Sequence, residues 1–257
     1  MKLFLNKLYN KSLRKIKPLI KHLLKQEVLI HTPKCGGTYI VKQYNLNNHR
    51  RINNVGHKPV KSLNLNSKTK VTGLIREPAD WYQSYYFFCK KALSLAPQSD
   101  DNFPVNHPIS VFSKNATVGF TDMIKNMYDK NFIRNAIKTF EYAKIYSEQI
   151  LDVFEFLERT NSGFWTWTML YHFSYKDTKE FQTKEDVISE ANKIKQKFNF
   201  IHQENIDADV ERFLKIPHKP GEKINVSPRK KESAKSEYMK DIIYSLDGKI
   251  ASIIGGY

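Results

Sequence analysis

One run of this 257-residue sequence combines the residue types that hold an anion: His31-Thr32-Pro33-Lys34-Cys35-Gly36-Gly37-Thr38. Adjacent glycines let backbone approach a ligand, the lysine supplies a compact charge and the threonine a hydroxyl. Where such a run joins a strand to a helix, the unpaired N–H groups of the first helical turn and the helix dipole complete a phosphate cradle. The residue order limits the chemistry. A nucleoside-triphosphate loop reads G-x-x-x-x-G-K-[ST], with its lysine after the glycines. Here Lys34 precedes them and the first glycine of that pattern is missing, so a standard kinase or ATPase loop fits poorly.

The flanking segments are of the kinds that such a loop needs. Val28-Leu29-Ile30 is wholly apolar, as in a strand buried on both faces of a parallel sheet. Tyr39-Ile40-Val41-Lys42-Gln43-Tyr44 continues as a helix. A second strand, Val71–Ile75, runs into Arg76-Glu77-Pro78, and Pro78 suits the first turn of a helix from Ala79 to about Leu93. Two strand–loop–helix units predict an α/β fold with a P-loop-like central parallel sheet flanked by helices.

Further along, Ser94 to Asn115 reads as loop because Pro, Asp and Asn dominate it. Helices are expected around 119–129, 132–138 and Gln149–Leu157, with a strand over Phe140–Ser147. Thr183 reads as the cap of a helix over Lys184–Lys197, with Asp186 three residues on. Phe198–His202 reads as a strand and Ala208–Leu214 as a short helix. Tyr238, Ile242, Leu246, Ile250 and Ile253 give a C-terminal helix one apolar face. Trp165 and Trp167 alternate as on a strand or in a core, and core packing is the expected role of that aromatic stretch. The domain reading is a basic amphipathic helix over 1–26 and a single domain over 27–257.

The formal charge is +16, and its placement matters more than its size. Residues 1–25 hold eight Lys or Arg and no acid; such a helix packs its apolar stripe on a domain or lies on an anionic membrane surface. Between Glu27 and Glu77 there are nine Lys or Arg and no acid, a bias that attracts an anionic ligand. Two cysteines, Cys35 and Cys89, make no disulfide framework or metal-ligand spacing, and a reducing compartment follows. The expected location is cytoplasmic, with peripheral membrane contact through residues 1–25 left open.

The run His31–Thr38 resembles the 5′-phosphosulfate loop of the sulfotransferases that use 3′-phosphoadenosine 5′-phosphosulfate, particularly the carbohydrate branch, whose loop reads H-x-P-K-[TC]-G-G-T. Arg76-Glu77-Pro78-Ala79-Asp80-Trp81-Tyr82-Gln83-Ser84-Tyr85-Tyr86 resembles the 3′-phosphate motif of that family, R-[DE]-P-x-x-R-x-x-S-x-Y. Trp81 departs from it, standing where many members have Arg. Weaker likeness extends through Ile201–Asn205, Asn225–Ser227 and Gly256-Tyr257.

The resemblance implies a nucleotide co-substrate held by Pro33, Lys34, Cys35, Gly36, Gly37, Thr38 and Tyr39 on one side and by Arg76 and Ser84 on the other. Arg229, with Lys230 and Lys231, falls where the family often has a basic loop closing on the nucleotide. It implies sulfuryl transfer to an acceptor hydroxyl, expected on a glycan, by in-line displacement with Lys34 at the leaving oxygen and no metal. A hydroxyl acceptor benefits from a general base. His57, in Val55-Gly56-His57-Lys58-Pro59, stands where related enzymes often place a Gly-His element; His31, His107 and Glu204 are the weaker alternatives. This reading gives nucleic acid no part. A P-loop nucleotide kinase, or a basic nucleic-acid- or membrane-binding protein, remains as the alternative.

Overall fold

The computed structural model of the chain describes residues 27–49, 51–66, 68–95, 107–115, 117–143, 148–217 and 237–257, without the side chains of 93–95, 140–143 and 237. The expected N-terminal helix and the basic Arg229–Lys231 segment lie outside these residues. Four strands, β1 (Glu27–His31), β2 (Ile52–Gly56), β3 (Lys70–Ile75) and β4 (Asn199–His202), form one parallel sheet in the order β2-β1-β3-β4. The chain is therefore α/β.

The central pair is β1 and β3, with Val28 opposite Val71 and Ile30 opposite Gly73. Val28, Leu29 and Ile30, and all of Val71 to Ile75, are buried, which is why these strands read as unbroken apolar runs. The edge strand β2 had no such signal. Its sequence, Ile52-Asn53-Asn54-Val55-Gly56, buries only Ile52. Between β1 and β2 the register slips at Leu29/Ile30, so that Leu29 faces Asn54 and Ile30 faces Gly56. A bulge of this kind re-aims the residues beyond it, and the residue directly after β2 is His57.

The helices are α1 (Gly37–Gln43), α2 (Pro78–Leu95), α3 (Pro108–Phe112), α4 (Phe120–Tyr128), α5 (Lys130–Ala143), α6 (Glu148–Thr160), α7 (Phe164–Phe173), α8 (Lys184–Lys197), α9 (Ile206–Asp209) and α10 (Glu237–Gly255). After α9 the chain continues in a wider π turn over Val210–Leu214. Pro78 opens α2 as expected, and Thr183 caps α8 in a reciprocal box with Asp186. Two expectations are corrected. Helix α5 continues through Phe140 to Ala143, where a strand was expected, and α3 lies inside the segment read as loop. Its Pro108 stands at the first turn, with the His107 side chain accepting from the Ile109 N–H as cap.

Trp165 and Trp167 are core residues, on a helix rather than a strand. Helix α7 is buried on every side except at Tyr171, so it has no polar face to announce a helical period. A buried helix start needs partners for its orphaned N–H groups, and Gly163 at the cap has no side chain to offer. Asp247 of α10 serves instead: it accepts from the Thr166 N–H at 2.9 Å and the Thr166 hydroxyl at 2.6 Å. Tyr82 of α2 accepts from the Trp165 N–H at 2.9 Å and donates to Asp247 at 2.7 Å. This junction locks α2, α7 and α10 together behind the strand ends.

Candidate functional site

The chain leaves β1 towards β2 on one side of the sheet and leaves β3 towards β4 on the other. The crevice beyond the carboxyl ends of β1 and β3 is thus a topological switch point, where open parallel sheets bind ligands. The two segments singled out in the sequence, Thr32–Thr38 and Arg76–Ser84, both start at this crevice.

The first loop is tied down from below. Buried Thr32 donates its hydroxyl to the Leu74 carbonyl at 2.9 Å and lies 2.7 Å from the Cys35 sulfur. Cys35 is fully buried, and burial pushes its thiol up to about 12. Gly36 adopts φ 86° and caps α1; Ile206 and Gln203 close over it, lying 3.1 and 3.3 Å from where a Cβ would be. A Cβ on Gly37 would stand 2.3 Å from His31 Nδ1, so the glycine is what allows the imidazole to pack on the loop.

Lys34 itself is left-handed, with φ 65°, a conformation that costs an L-residue about 1–2 kcal/mol. The peptide carbonyls on both sides of it are held. The Trp81 indole N–H donates to the Pro33 carbonyl at 2.8 Å, and Arg76 Nη1 donates to the Lys34 carbonyl at 3.3 Å. The Lys34 ammonium sits 4.2 Å from the centroid of the Phe88 ring. Burial first, and then the Arg76 charge, holds its pKa below the ordinary lysine value. Among the described residues no carboxylate makes an ion pair with Lys34 or Arg76. Among the described residues Arg76 Nε is buried without a hydrogen-bond partner, a deficit of about 1–3 kcal/mol that a ligand acceptor would remove.

Ser84 is half-buried on α2 and makes no side-chain hydrogen bond among the described residues. It lies one turn before Phe88 on the same helix face, the face over which the Lys34 ammonium rests. Thr38 is exposed at the start of α1. Tyr39 is engaged elsewhere: its hydroxyl donates to Asp207 at 3.0 Å, beside the Tyr44 hydroxyl at 2.6 Å, and so ties α1 to α9.

His57 is exposed and next to the loop. Its Nδ1 lies 2.6 Å from the main-chain carbonyl of His31, and the two rings meet edge-on with centroids 4.5 Å apart. A carbonyl can only accept, so Nδ1 carries the hydrogen, and in the neutral ring Nε2 is the nitrogen with the lone pair. His31 is held neutral down to about 4 by burial, then by the neighbouring His57 and His172. Buried His172, also lowered to about 4 by burial, contacts the Thr168 carbonyl at 2.8 Å and the His57 main chain. His107 stacks on Tyr85, caps α3 and is likewise pushed down to about 4 by burial. Glu204 accepts from the Glu77 N–H and the Tyr257 hydroxyl, each at 3.2 Å.

Three contributors escaped the sequence reading. Trp165 donates its indole N–H to the Arg76 carbonyl at 3.0 Å, Trp81 holds the Pro33 carbonyl, and His172 buttresses His57. Each acts through a buried contact to main chain that no spacing reveals. Arg229 lies outside the described residues. Among those residues, no group of three or more His, Cys, Asp or Glu side chains is placed to hold a metal, and no helix is long and apolar enough to cross a membrane. No protein-family model matches the chain, and neither does any curated protein or solved structure.

Proposed function

We propose that the chain is a sulfotransferase that moves the sulfuryl group of 3′-phosphoadenosine 5′-phosphosulfate to an acceptor hydroxyl on a carbohydrate, on a P-loop-like sheet. The observation that carries this reading is the pairing of Lys34 with Arg76. Two cations from the loops after adjacent strands converge, and among the described residues neither is in an ion pair with a carboxylate and one guanidinium nitrogen is buried without an acceptor. Such a pair calls for an anion, and its two motifs resemble those that hold the two phosphate groups of this donor.

In this reading the N–H groups of Gly36, Gly37 and Thr38 hold the 5′-phosphate, while Arg76 and Ser84 hold the 3′-phosphate. The acceptor oxygen attacks sulfur in line; its proton passes to His57 Nε2, and the sulfur–oxygen bond to the 5′-phosphate breaks. The electron pair leaves on that bridging oxygen, where Lys34 neutralises it, and adenosine 3′,5′-bisphosphate departs. The donor set calls for no metal. Two buried free thiols go with a cytoplasmic location.

Transfer of labelled sulfate from the donor to a panel of glycans, and calorimetric binding of adenosine 3′,5′-bisphosphate against ATP, test the proposal. Bisphosphate binding that weakens in Arg76→Ala and with rising salt, together with label in a glycan, is expected. Equal affinity for ATP, or no binding of the bisphosphate, overturns it.

A further inference from the structure

We propose that Trp81 is a positioning residue for Lys34, setting where the lysine ammonium meets the leaving oxygen; the inference rests on the sulfotransferase reading for its kinetic consequence and on geometry alone for its structural one. A non-glycine residue in the left-handed region persists only where its surroundings over-determine it. At Lys34 they do: the carbonyl before it is held by Trp81 and the carbonyl after it by Arg76. Trp81 cannot swing away. It is fully buried, and its ring is met edge-on by Tyr82 at 5.2 Å and Tyr85 at 4.8 Å, with Phe164 at 5.3 Å.

Trp81 and Phe88 belong to the same helix, two turns apart, which is about 10 Å along the axis. One helix therefore fixes the lysine at both ends, its main chain through the Trp81 N–H and its ammonium through the Phe88 ring. A residue that merely filled the core at position 81 would not need an N–H aimed at the loop. Glycine at 34 would relieve the backbone but remove the charge. The arrangement keeps the charge and spends a hydrogen bond on holding the conformation.

The test removes the N–H and keeps an aromatic ring at the position. Trp81→Phe is one variant; the benzothienyl analogue of tryptophan at position 81, which replaces only the indole N–H with sulfur, is the second should the phenylalanine variant unfold. The first measurement is labelling of Lys34 by acetic anhydride, followed by mass spectrometry, with exposed Lys58 as internal reference. Release of the loop is expected to raise the relative labelling of Lys34 at least threefold. Unchanged labelling in a folded variant overturns the proposal whether or not the chain transfers sulfate.

The second measurement is a split in kinetics. kcat is expected to fall at least tenfold while the bisphosphate Kd moves less than threefold, because Lys34 acts on charge that grows only in the transition state. In a Lys34→Ala background the same change at 81 is expected to cost nothing further. A loss that recurs undiminished in that background makes Trp81 structural and defeats the positioning role. Failure of the unaltered protein to bind the bisphosphate defeats the sulfotransferase reading instead, and leaves the labelling result to decide the role of Trp81.

Discussion

His57 donates from Nδ1 to the main-chain carbonyl of His31 across 2.6 Å, and that single contact decides which ring nitrogen is left to take a proton. The bulge in the β1–β2 register delivers His57 to this place. Replacing His57 with alanine is expected to lower kcat by about 10²–10⁴-fold, the range for loss of a general base, with bisphosphate affinity unchanged. Steady-state rates with calorimetric Kd values check both halves. Near-normal turnover would hand the role to another group.

Gly37→Ala is expected to weaken bisphosphate binding at least tenfold. The new methyl would stand 2.3 Å from His31 Nδ1, far inside contact distance, and the His31 ring has little room because His57 meets it edge-on. A second change, His31→Ala, opens that space. Calorimetry should find affinity partly restored in the double variant, and additive losses would refute the steric account.

Trp165→Phe is expected to destabilise the fold by about 1–3 kcal/mol through the Arg76 carbonyl it leaves without a donor, with more lost to the smaller ring. Trp165 is fully buried and its indole contact to Arg76 is 3.0 Å. Urea unfolding measures the loss. Because Arg76 carries a guanidinium nitrogen with no partner among the described residues, weaker bisphosphate binding should accompany it.

Acid is expected to unfold the protein through one buried and two half-buried histidines. His31, His107 and His172 are each lowered by burial from 6.5 to about 4. The unfolded chain therefore takes up these protons first as pH falls. Stability present above pH 6.5 is lost progressively towards pH 4, by up to about 3 kcal/mol for each group. Asp247 works in the opposite sense. Burial raises it to about 6, so its contribution is full below about pH 4 and is lost as pH rises through 6. Three groups outweigh one, and the urea midpoint should drop between pH 7 and pH 4.5. His172→Gln should flatten that slope, and a midpoint independent of pH would exclude the mechanism.

The strands that flank the crevice were legible because burial on both faces writes itself as an apolar run, and α8 because Thr183 and Asp186 spell a reciprocal cap. Strand β2 was not, since an edge strand of two asparagines looks like a turn. Helix α7 was misleading for the opposite reason: burial all round erases the helical period, and alternation of Trp165 with Trp167 imitates a strand. Among the site residues, those whose side chains carry charge or whose glycines open space could be named from their types and spacing. Trp81 could be seen only as a departure from a motif, because its role depends on a carbonyl far away in sequence. Tyr39 belongs to the loop by position, and the turn of its hydroxyl to Asp207 is a contact that no spacing shows.

The sheet order also fixes when the crevice can be completed. Strand β4 pairs with β3, Gly73 opposite Phe200, after most of the helices have been threaded between them. The residues just beyond β4, Gln203 and Ile206, are the ones that close over Gly36. A nascent chain thus carries both loops of the crevice long before it carries their roof, and pairing at such sequence separation is slow. Ligand that binds only the roofed state adds stability to finished molecules and none to partial ones. On the proposed function, the bisphosphate would report completed synthesis, its rate of capture by refolding or newly translated chains timing the arrival of β4.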